Sequence, residues 1–268
     1  MVAMSVRLPP LALAYHGLGA VPLRDDPHRL FTHPSALVKH LRRLHSFGYR
    51  LVTAGELARR VAAGEGDGCA ALTFDDGIAD DLCVVCERLG VPATVFAVSG
   101  WLGEPHPDAP QARIVDPAQL RALHAAGIEI GAHTVTHPDL TTLDAEDCLD
   151  ELVGCRRELE AILDAPVEAL AYPYGAADSA VAAASAIAGY RWAWRIAGAG
   201  SWRDPLGFPR QNMLNGCTIS GLWLKRSGRF EALATKPVIR TARRARLRVH
   251  GHRRPPPHSA RPTARRGA

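Results

Sequence analysis

The sequence lacks any hydrophobic run that approaches the ~18 apolar residues of a membrane-spanning helix. At the N-terminus only Arg7 precedes a short apolar stretch, His16 interrupts that stretch, and no small-residue cleavage site is clear. These features differ from those of a secretory signal peptide. We therefore predict a β-strand at this position.

The sequence also lacks the cysteine framework of a small secreted protein, because its six cysteines lie inside apolar helix or strand patterns. Cys83 and Cys86 form a C-x-x-C pair, but the pair lies within a predicted helix and no second pair accompanies it. We expect all six to act as small buried hydrophobic residues. This usage fits a reducing compartment, so we expect a cytoplasmic protein, with membrane association as an alternative.

Acidic residues are absent from the C-terminal segment, which has 11 Lys and Arg from Lys236 to the end. The first 235 residues hold 21 basic and 27 acidic residues, a net charge of −6, although the whole chain carries +5. Because Pro255–Pro257 and a lack of apolar periodicity argue against packing, we predict a domain over residues 1–235 and a disordered basic tail over 236–268. We expect a solvated or membrane-proximal tail; binding to an anionic surface is the alternative, and no specific nucleic acid is expected.

What is present is the pattern of one α/β domain, since 47% of the 268 residues are hydrophobic and can fill a core. Strand-like runs alternate with helical stripes, and a Pro-rich loop covers 99–115. The predicted strands are 11–15, 49–53, 70–74, 93–98, 128–132, 169–171, 190–196 and 208–214, and the predicted helices are 35–47, 56–63, 79–89, 117–126, 145–163 and 179–188. About seven such units predict a parallel sheet that closes, or nearly closes, into a β/α barrel.

Polar side chains follow several of the predicted strands, at the point where each strand ends. They are His16 after the first strand, Asp75 and Asp76 after the third, His133 and His137 after the fifth, and Tyr174 after the sixth. The C-terminal ends of barrel strands converge on one face, where active sites are built. Residues far apart in sequence would then share one pocket.

The third strand belongs to the stretch A-A-L-T-F-D-D-G, residues 70–77, and ends in two adjacent carboxylates. Charges at the end of a buried strand are costly unless a cation or a proton accompanies them. Side chains of neighbouring residues in an extended chain point to opposite sides, so Asp75 and Asp76 should differ in role. The alternative is that Asp76 or Asp80 caps the following helix.

His133 and His137 lie four residues apart, close enough to bind one cation from a single turn. Together with a carboxylate from another strand end they would leave positions open for water and substrate, which is typical of a catalytic metal site. A satisfied core or surface position is the expectation for the other histidines considered. These are His28, His33, His40, His45, His106 and His124.

Three motifs in this order, T-F-D-D-G at 73–77, H-T-V-T-H at 133–137 and Y-P-Y-G at 172–175, resemble those of the polysaccharide deacetylases, the NodB-homology carbohydrate esterases. The resemblance runs from about Leu11 to Leu214. It implies a distorted (β/α) barrel of about seven parallel strands. It also implies a hydrolase that removes N-acetyl groups from the amino sugars of a polysaccharide, a glycan or a lipid-linked glycan precursor, with release of acetate.

The resemblance also assigns roles to residues. Asp75 would be the general base, and Asp76, His133 and His137 would bind one divalent metal ion. Zinc is the expected metal, with cobalt, nickel or manganese as alternatives. The Tyr174 backbone N–H would help to hold the oxyanion.

The sequence departs from the family pattern in two motifs: Ala171-Tyr172 stands where the third motif often begins with an arginine, and the last motif lacks its histidine. No L-x-H motif supplies a general acid near the end of the domain, because the first histidine after Arg210 is His250 in the tail. The opening L-x-Y-H-G, residues 13–17, resembles a permuted subgroup in which an N-terminal histidine takes this role, and His16 is our candidate acid. Arg210 resembles the arginine that braces the base in that subgroup; the alternative is a surface arginine on the last strand.

The remaining candidates concern the substrate. Pro173 and Trp101 join Tyr174 as expected substrate contacts. Four tryptophans could stack on sugar rings or belong to the core, namely Trp101, Trp192, Trp194 and Trp202. Two alternatives to the N-deacetylase stay open: a catalytically weakened glycan-binding barrel and an O-acetyl esterase.

Overall fold

A computed structural model of the chain describes residues 8–22, 24–78, 90–196 and 200–214. The predicted helix 79–89, the basic tail, and Cys83, Cys86 and Cys217 lie outside the described residues. In the described part of the chain, no helix combines the length and the apolar character needed to cross a bilayer.

The described residues form twelve strands and five α-helices. The strands are β1 (Leu11–Tyr15), β2 (Gly17–Leu18), β3 (Phe31–Thr32), β4 (Arg50–Val52), β5 (Cys69–Phe74), β6 (Thr94–Ala97), β7 (Pro105–His106), β8 (Ala109–Arg113), β9 (Glu129–Ala132), β10 (Ala169–Ala171), β11 (Trp192–Ile196) and β12 (Phe208–Asn212). The helices are α1 (Pro34–Ser46), α2 (Ala54–Ala62), α3 (Pro117–Ala125), α4 (Ala145–Leu163) and α5 (Ser179–Ile187).

Seven parallel strands close into a barrel in the order β1-β12-β11-β10-β9-β6-β5, and β5 pairs with β1 to complete the ring. β4 lies beside the ring, where it pairs in parallel with the first half of β5. The predicted (β/α) barrel of about seven strands is therefore confirmed.

The barrel strands are apolar because both of their faces are covered. Every residue of β1 and of β5 is buried, as expected of parallel strands that pack on helices outside and on one another inside. Alternate residues of β5 face different sides: Leu72 belongs to the cluster that includes Leu37 of α1. Ala71 belongs to the interior cluster that includes Trp194. The same alternation directs Asp75, four residues after Ala71, toward the interior.

Several helices begin or end where the sequence predicts. α4 has the predicted bounds, and α3 begins with a capping box in which the Asp116 side chain accepts from two backbone N–H groups and the Gln119 side chain reaches back to Asp116 N. The capping satisfies donors that the first helical turn would otherwise leave unpaired. α2 begins two residues earlier than predicted, after a Thr53 cap.

The Pro-rich segment is more regular than predicted. The loop prediction for residues 99–115 is wrong in part, because β7 and β8 form an antiparallel hairpin after a short 3₁₀ turn over Ser99–Trp101. Prolines interrupt the alternating pattern that would predict a strand. Proline is nevertheless tolerated in a strand where its position requires no backbone N–H donor. The hairpin buries Ala109, Ala112 and His106. The short parallel pair β2 and β3 was likewise not predicted.

The cysteines that the structure describes match their predicted structural role. Cys69, Cys148 and Cys155 are buried thiols. Burial raises the pKa of Cys155 to about 11, which keeps the thiol neutral and unreactive near neutral pH. They behave as small apolar residues of the core.

Candidate active site

The predicted strand-end residues lie together at one end of the barrel. The Asp75 N–H donates to the Tyr15 carbonyl across 2.9 Å, so that Asp75 lies beside His16 at the ends of β5 and β1. The His133 N–H donates to the Ala97 carbonyl across 2.9 Å and continues the pairing of β9 with β6. Barrel closure thus brings three distant parts of the sequence to one face.

Asp75 forms a two-pronged ion pair with Arg210 of β12. Arg210 Nη1 donates to Asp75 Oδ1 at 2.6 Å, and Nη2 donates to Oδ2 at 2.9 Å. Nη1 also donates to Thr73 Oγ1 at 2.9 Å. Arg210 has 0% exposure, so the alternative of a surface arginine is wrong. Such paired bonds fix the orientation of the Asp75 carboxylate in the barrel interior.

The charges around Asp75 outweigh its burial. Burial alone would raise the pKa of Asp75, but the Arg210 guanidinium, and after it His133 and His16, lower this pKa below its usual value. Asp75 is therefore an ionised carboxylate, with each oxygen already bonded to the guanidinium.

Asp76, His133 and His137 present ligand atoms to one point. Asp76 Oδ1 lies 3.6 Å from Nε2 of each histidine, and the three ligand atoms all lie within 4.8 Å of one another. A separation of 3.6 Å is too long for a good hydrogen bond. Ligand atoms held about 2.0–2.2 Å from one tetrahedral metal ion would be roughly 3.4 Å apart. The separations therefore suit a shared cation.

Two further observations show that these residues fit a divalent metal. In the described part of the chain, Asp76 Oδ1 is buried and has no hydrogen-bond partner. His133 Nδ1 lies 2.7 Å from the Ala171 carbonyl oxygen, which only an Nδ1–H can satisfy as a donor. This bond leaves a lone pair on His133 Nε2 for a metal, the arrangement usual for metal-binding histidines. The helix that Asp76 would cap in the alternative interpretation lies outside the described residues.

The charge state of the cluster follows from its burial and its neighbours. Burial alone would raise the pKa of Asp76, but a hydrogen bond from His106 and the charges of His137, His16 and His133 hold this pKa well below its usual value. Burial, and then the neighbouring His133, lower the pKa of His137 to about 3. An ionised carboxylate and a neutral imidazole are the forms that bind a metal.

His106 is a member of this site that the sequence does not predict. Its Nε2 lies 3.2 Å from Asp76 Oδ2, and its ring is buried. The residue belongs to the Pro-rich segment for which we expect only a satisfied core or surface histidine. Its position after a predicted barrel strand, 93–98, was the available signal, because such segments lie on the catalytic face.

The backbone of the site is strained at several residues. Asp76, Thr134, His137 and Tyr174 have φ values of 68°, 70°, 61° and 58°. They are four of the six non-glycine residues with positive φ in the described ranges. Such conformations are uncommon for non-glycine residues and concentrate at functional sites, where the surrounding structure holds them.

Glu151 of α4 holds the loop between the two site histidines. Its Oε2 accepts from the backbone N–H groups of Val135 and Thr136 at 2.8 and 2.9 Å, and its Oε1 accepts from Thr136 Oγ1 at 2.6 Å. The His137 N–H donates to Thr134 Oγ1 at 3.0 Å. These bonds fix the spacing of His133 and His137 in their bend.

Aromatic rings surround His137 at the mouth of the site. The His137 ring centroid lies 5.2 Å from that of Trp101 and 4.7 Å from that of Tyr174, which is 57% exposed. Pro173, a predicted substrate contact, is buried beside Tyr174. Trp192 and Trp194 are buried in the barrel interior, as their core alternative required, and Trp202 packs against Trp194.

His16 lies at the site, partly exposed at the end of β1. A positive charge on His16 lowers the pKa of both Asp75 and Asp76. Its assignment as general acid stays a prediction.

Known proteins resemble this chain in sequence and in fold. The family model of the polysaccharide deacetylases matches residues 62–193. A chitooligosaccharide deacetylase of Bradyrhizobium sp. (strain ANU 289) is 32% identical over 123 residues, 44% of this chain and 51% of that protein. The chain spans about half the length of the curated deacetylases that it matches, between 51% and 57%.

Two solved structures share the fold. A Streptococcus pyogenes deacetylase, PplD, in complex with acetate has a TM-score of 0.69 at 22% identity, over 81% of this chain and 97% of that chain. A polysaccharide deacetylase from Bacillus cereus has a TM-score of 0.68 at 21% identity, over 82% of this chain and 69% of that chain. At these identities the likeness concerns the fold alone.

The closed parallel barrel and the cluster at its strand ends define a (β/α)-barrel protein of the NodB type. The match of the family model over residues 62–193 confirms the resemblance to the polysaccharide deacetylases that was drawn from the three motifs. Its likeness to the subgroup with an N-terminal Y-H motif stays a prediction.

Proposed function

We propose that the chain is a metal-dependent hydrolase that removes N-acetyl groups from the amino sugars of a polysaccharide, a glycan or a lipid-linked glycan precursor. One observation carries the proposal. A three-residue ligand set, Asp76, His133 and His137, lies beside a buried carboxylate that an arginine orients, at the strand ends of a deacetylase-family barrel. The likeness to the polysaccharide deacetylases favours acetyl-group hydrolysis, and the chemistry of the residues supports it.

Asp76, His133 and His137 would hold one divalent cation, with zinc as the expected metal and cobalt, nickel or manganese as alternatives. Such an ion polarises a carbonyl oxygen and lowers the pKa of water toward ~7. Three protein ligands leave coordination positions for water and substrate, as in other catalytic sites of this kind.

Asp75 is the proposed general base. It accepts a proton from water as the water oxygen attacks the acetamide carbonyl carbon. Arg210 keeps the carboxylate ionised and aims it, since the guanidinium bonds both Asp75 oxygens. A base held in this way loses little orientational freedom when the reaction begins.

His16 is the proposed general acid, and the Tyr174 N–H is the proposed donor to the developing oxyanion. A protonated His16 gives its proton to the amine nitrogen as the carbon–nitrogen bond breaks, so acetate and a free amino sugar result. His106, the other histidine found at the site outside the proposed ligand set, is a poorer candidate for the acid. His106 already uses both of its nitrogens, one toward Asp76 and one toward the Asp108 N–H.

Tyr174 and Trp101 are the proposed sugar contacts. Both rings lie against His137, and Tyr174 is exposed at the mouth. Aromatic faces beside an open site suit the apolar faces of sugar rings. The chitooligosaccharide deacetylase among the relatives makes N-acetylglucosamine oligomers a natural first substrate to test.

The test is acetate release from a panel of N-acetylated amino-sugar oligomers and polymers. The protein is assayed as isolated, after chelation, and after addition of each candidate metal, with Asp75→Asn as the matched inactive variant. We expect release that chelation abolishes and metal restores. An O-acetylated glycan panel, run in parallel, separates the esterase alternative.

Three outcomes would contradict the proposal. Release that survives exhaustive chelation would remove the metal. Release from O-acetylated substrates alone would make the protein an esterase. Glycan binding without any acetate release, at full metal loading, would favour a binding barrel that has lost catalysis.

A further inference from the structure

We propose that His106 is a positioning residue that makes Asp76 a one-oxygen metal ligand, an inference that rests on the proposed metal site. The hairpin β7–β8 carries His106 to the far side of the Asp76 carboxylate from His133 and His137. In this role His106 contacts a ligand of the metal and not the metal itself. It would set the affinity and the geometry of the site.

The hydrogen-bond partners of His106 determine its tautomer. The backbone N–H of Asp108 donates to His106 Nδ1 at 3.1 Å, so Nδ1 carries a lone pair. In a neutral ring the proton is then on Nε2, and Nε2 donates to Asp76 Oδ2 at 3.2 Å. His106 is only 2% exposed, so water does not compete freely for this bond.

The two oxygens of Asp76 consequently have different tasks. Oδ2 is satisfied by His106, whereas Oδ1 is buried without a hydrogen-bond partner among the described residues and faces the two histidine Nε2 atoms. Without His106 both oxygens of a buried carboxylate would need a partner, and the group could rotate or bind a cation through both. His106 removes that freedom and leaves one oxygen for the metal.

The geometry argues against His106 as a fourth ligand. The set of ligand atoms that lie within 4.8 Å of one another comprises Asp76, His133 and His137 and does not include His106. His106 Nε2 carries the hydrogen that it donates to Asp76 Oδ2, so it has no lone pair to offer a metal. A histidine that donates to a ligand and accepts from the backbone is typical of the outer residues that orient metal ligands.

The surroundings hold the His106 ring in place. The Trp101 ring contacts both His106, at 5.4 Å between centroids, and His137, at 5.2 Å. β7 pairs with β8, and the bond to Asp108 closes the turn between them. The hairpin therefore fixes His106 before any metal arrives, and a preformed outer contact costs little ordering when the ion binds.

The test measures metal affinity by competition with a chromophoric chelator, for Zn²⁺ and for Co²⁺, in the full chain. His106→Leu removes the donor and should weaken the affinity 10- to 100-fold, the usual effect of losing such an outer contact. His106→Gln retains an N–H donor and should recover most of this loss. His40→Leu is the matched control, since His40 is equally buried but bonds Tyr15 outside the ligand set. It should lower the melting temperature and leave the metal affinity unchanged.

Several results would overturn the inference. These are an unchanged affinity in His106→Leu, or an equal loss in His40→Leu. An absorption spectrum of the Co²⁺ form that changes its coordination type in both His106 variants would identify a fourth ligand. If the parent chain binds neither metal, the proposed metal site itself fails, and the role of His106 fails with it. If the parent and all the variants bind the metal equally well, only the role of His106 fails.

Discussion

Asp75 and Asp76 are adjacent in sequence and lie in opposite environments. Asp75 points into the barrel, where both of its oxygens accept from the Arg210 guanidinium. Asp76 lies among three imidazoles, and one of its oxygens has no partner in the described part of the chain. The first carboxylate has its cation within the protein, whereas the second has a ligand set that suits a cation from solution.

The comparison shows that residue type alone does not decide a role. Both carboxylates are buried, and both have a pKa lowered by nearby charges or donors. The two carboxylates differ in the consequence of losing a neighbouring residue. Loss of Arg210 would leave a buried charge on Asp75, while loss of a histidine would leave the Asp76 site with too few ligands.

The largest expected effect comes from Asp75→Asn. The amide keeps the size of the carboxylate but cannot accept a proton, so turnover should fall at least ~100-fold while the metal stays bound. Single-turnover acetate release, with metal content measured on the same sample, checks this. Loss of the metal in this variant would mean that the two aspartates have exchanged roles.

Arg210→Met should cost about 3–5 kcal/mol of unfolding free energy near neutral pH, because it leaves the Asp75 charge buried and unpaired. In the parent the lowered pKa of Asp75 contributes stability that is present above the unfolded pKa of ~3.9 and lost as pH falls through the folded pKa. In the variant burial raises this pKa, so its deficit should shrink as pH falls and Asp75 becomes protonated. Denaturant unfolding at several pH values measures this.

The double variant Asp75→Asn/Arg210→Met is the control for that result. It removes the buried charge together with its partner and should be more stable than Arg210→Met alone. Equal stability of the two would show that the ion pair does not explain the cost.

His16→Ala tests the proposed general acid, which lies at the end of β1 next to the Asp75–Arg210 pair. An amine leaves poorly without a proton, so amide hydrolysis should fall by roughly 100-fold, whereas an activated aryl ester should be spared. Metal content and melting temperature should stay near those of the parent. Equal losses on amide and ester would assign His16 to positioning.

Glu151→Gln should have the smallest effect, about a tenfold loss of metal affinity. The amide cannot accept all three bonds that Glu151 accepts from Val135 and Thr136, so the loop that spaces His133 and His137 should loosen. Chelator competition measures the change. Glu158→Gln, an exposed residue of the same helix, is the matched control and should have no effect.

Much of the fold could be predicted from the sequence, because its strongest signals are local. The bounds of β1 and α4 match the apolar run and the amphipathic stripe, and Asp116 caps α3 as its spacing with Gln119 indicated. The hairpin β7–β8 could not be predicted, because prolines interrupt its alternation and its pairing is decided by packing.

The site residues that lie within one short motif could be predicted from the sequence. The His133–His137 spacing and the Asp75–Asp76 pair are visible in the sequence. The contact between His106 and Asp76 joins residues 30 apart through a hairpin, and neither spacing nor composition encodes it. The Arg210–Asp75 pair spans 135 residues, and only the family resemblance pointed to it.

The most direct test of the two environments is metal stoichiometry by equilibrium dialysis, run side by side on Asp75→Asn and Asp76→Asn. We expect about one ion per chain in the Asp75 variant and far less than one in the Asp76 variant. Full stoichiometry in Asp76→Asn, or loss of the ion in Asp75→Asn, would contradict the assignment of the metal to Asp76.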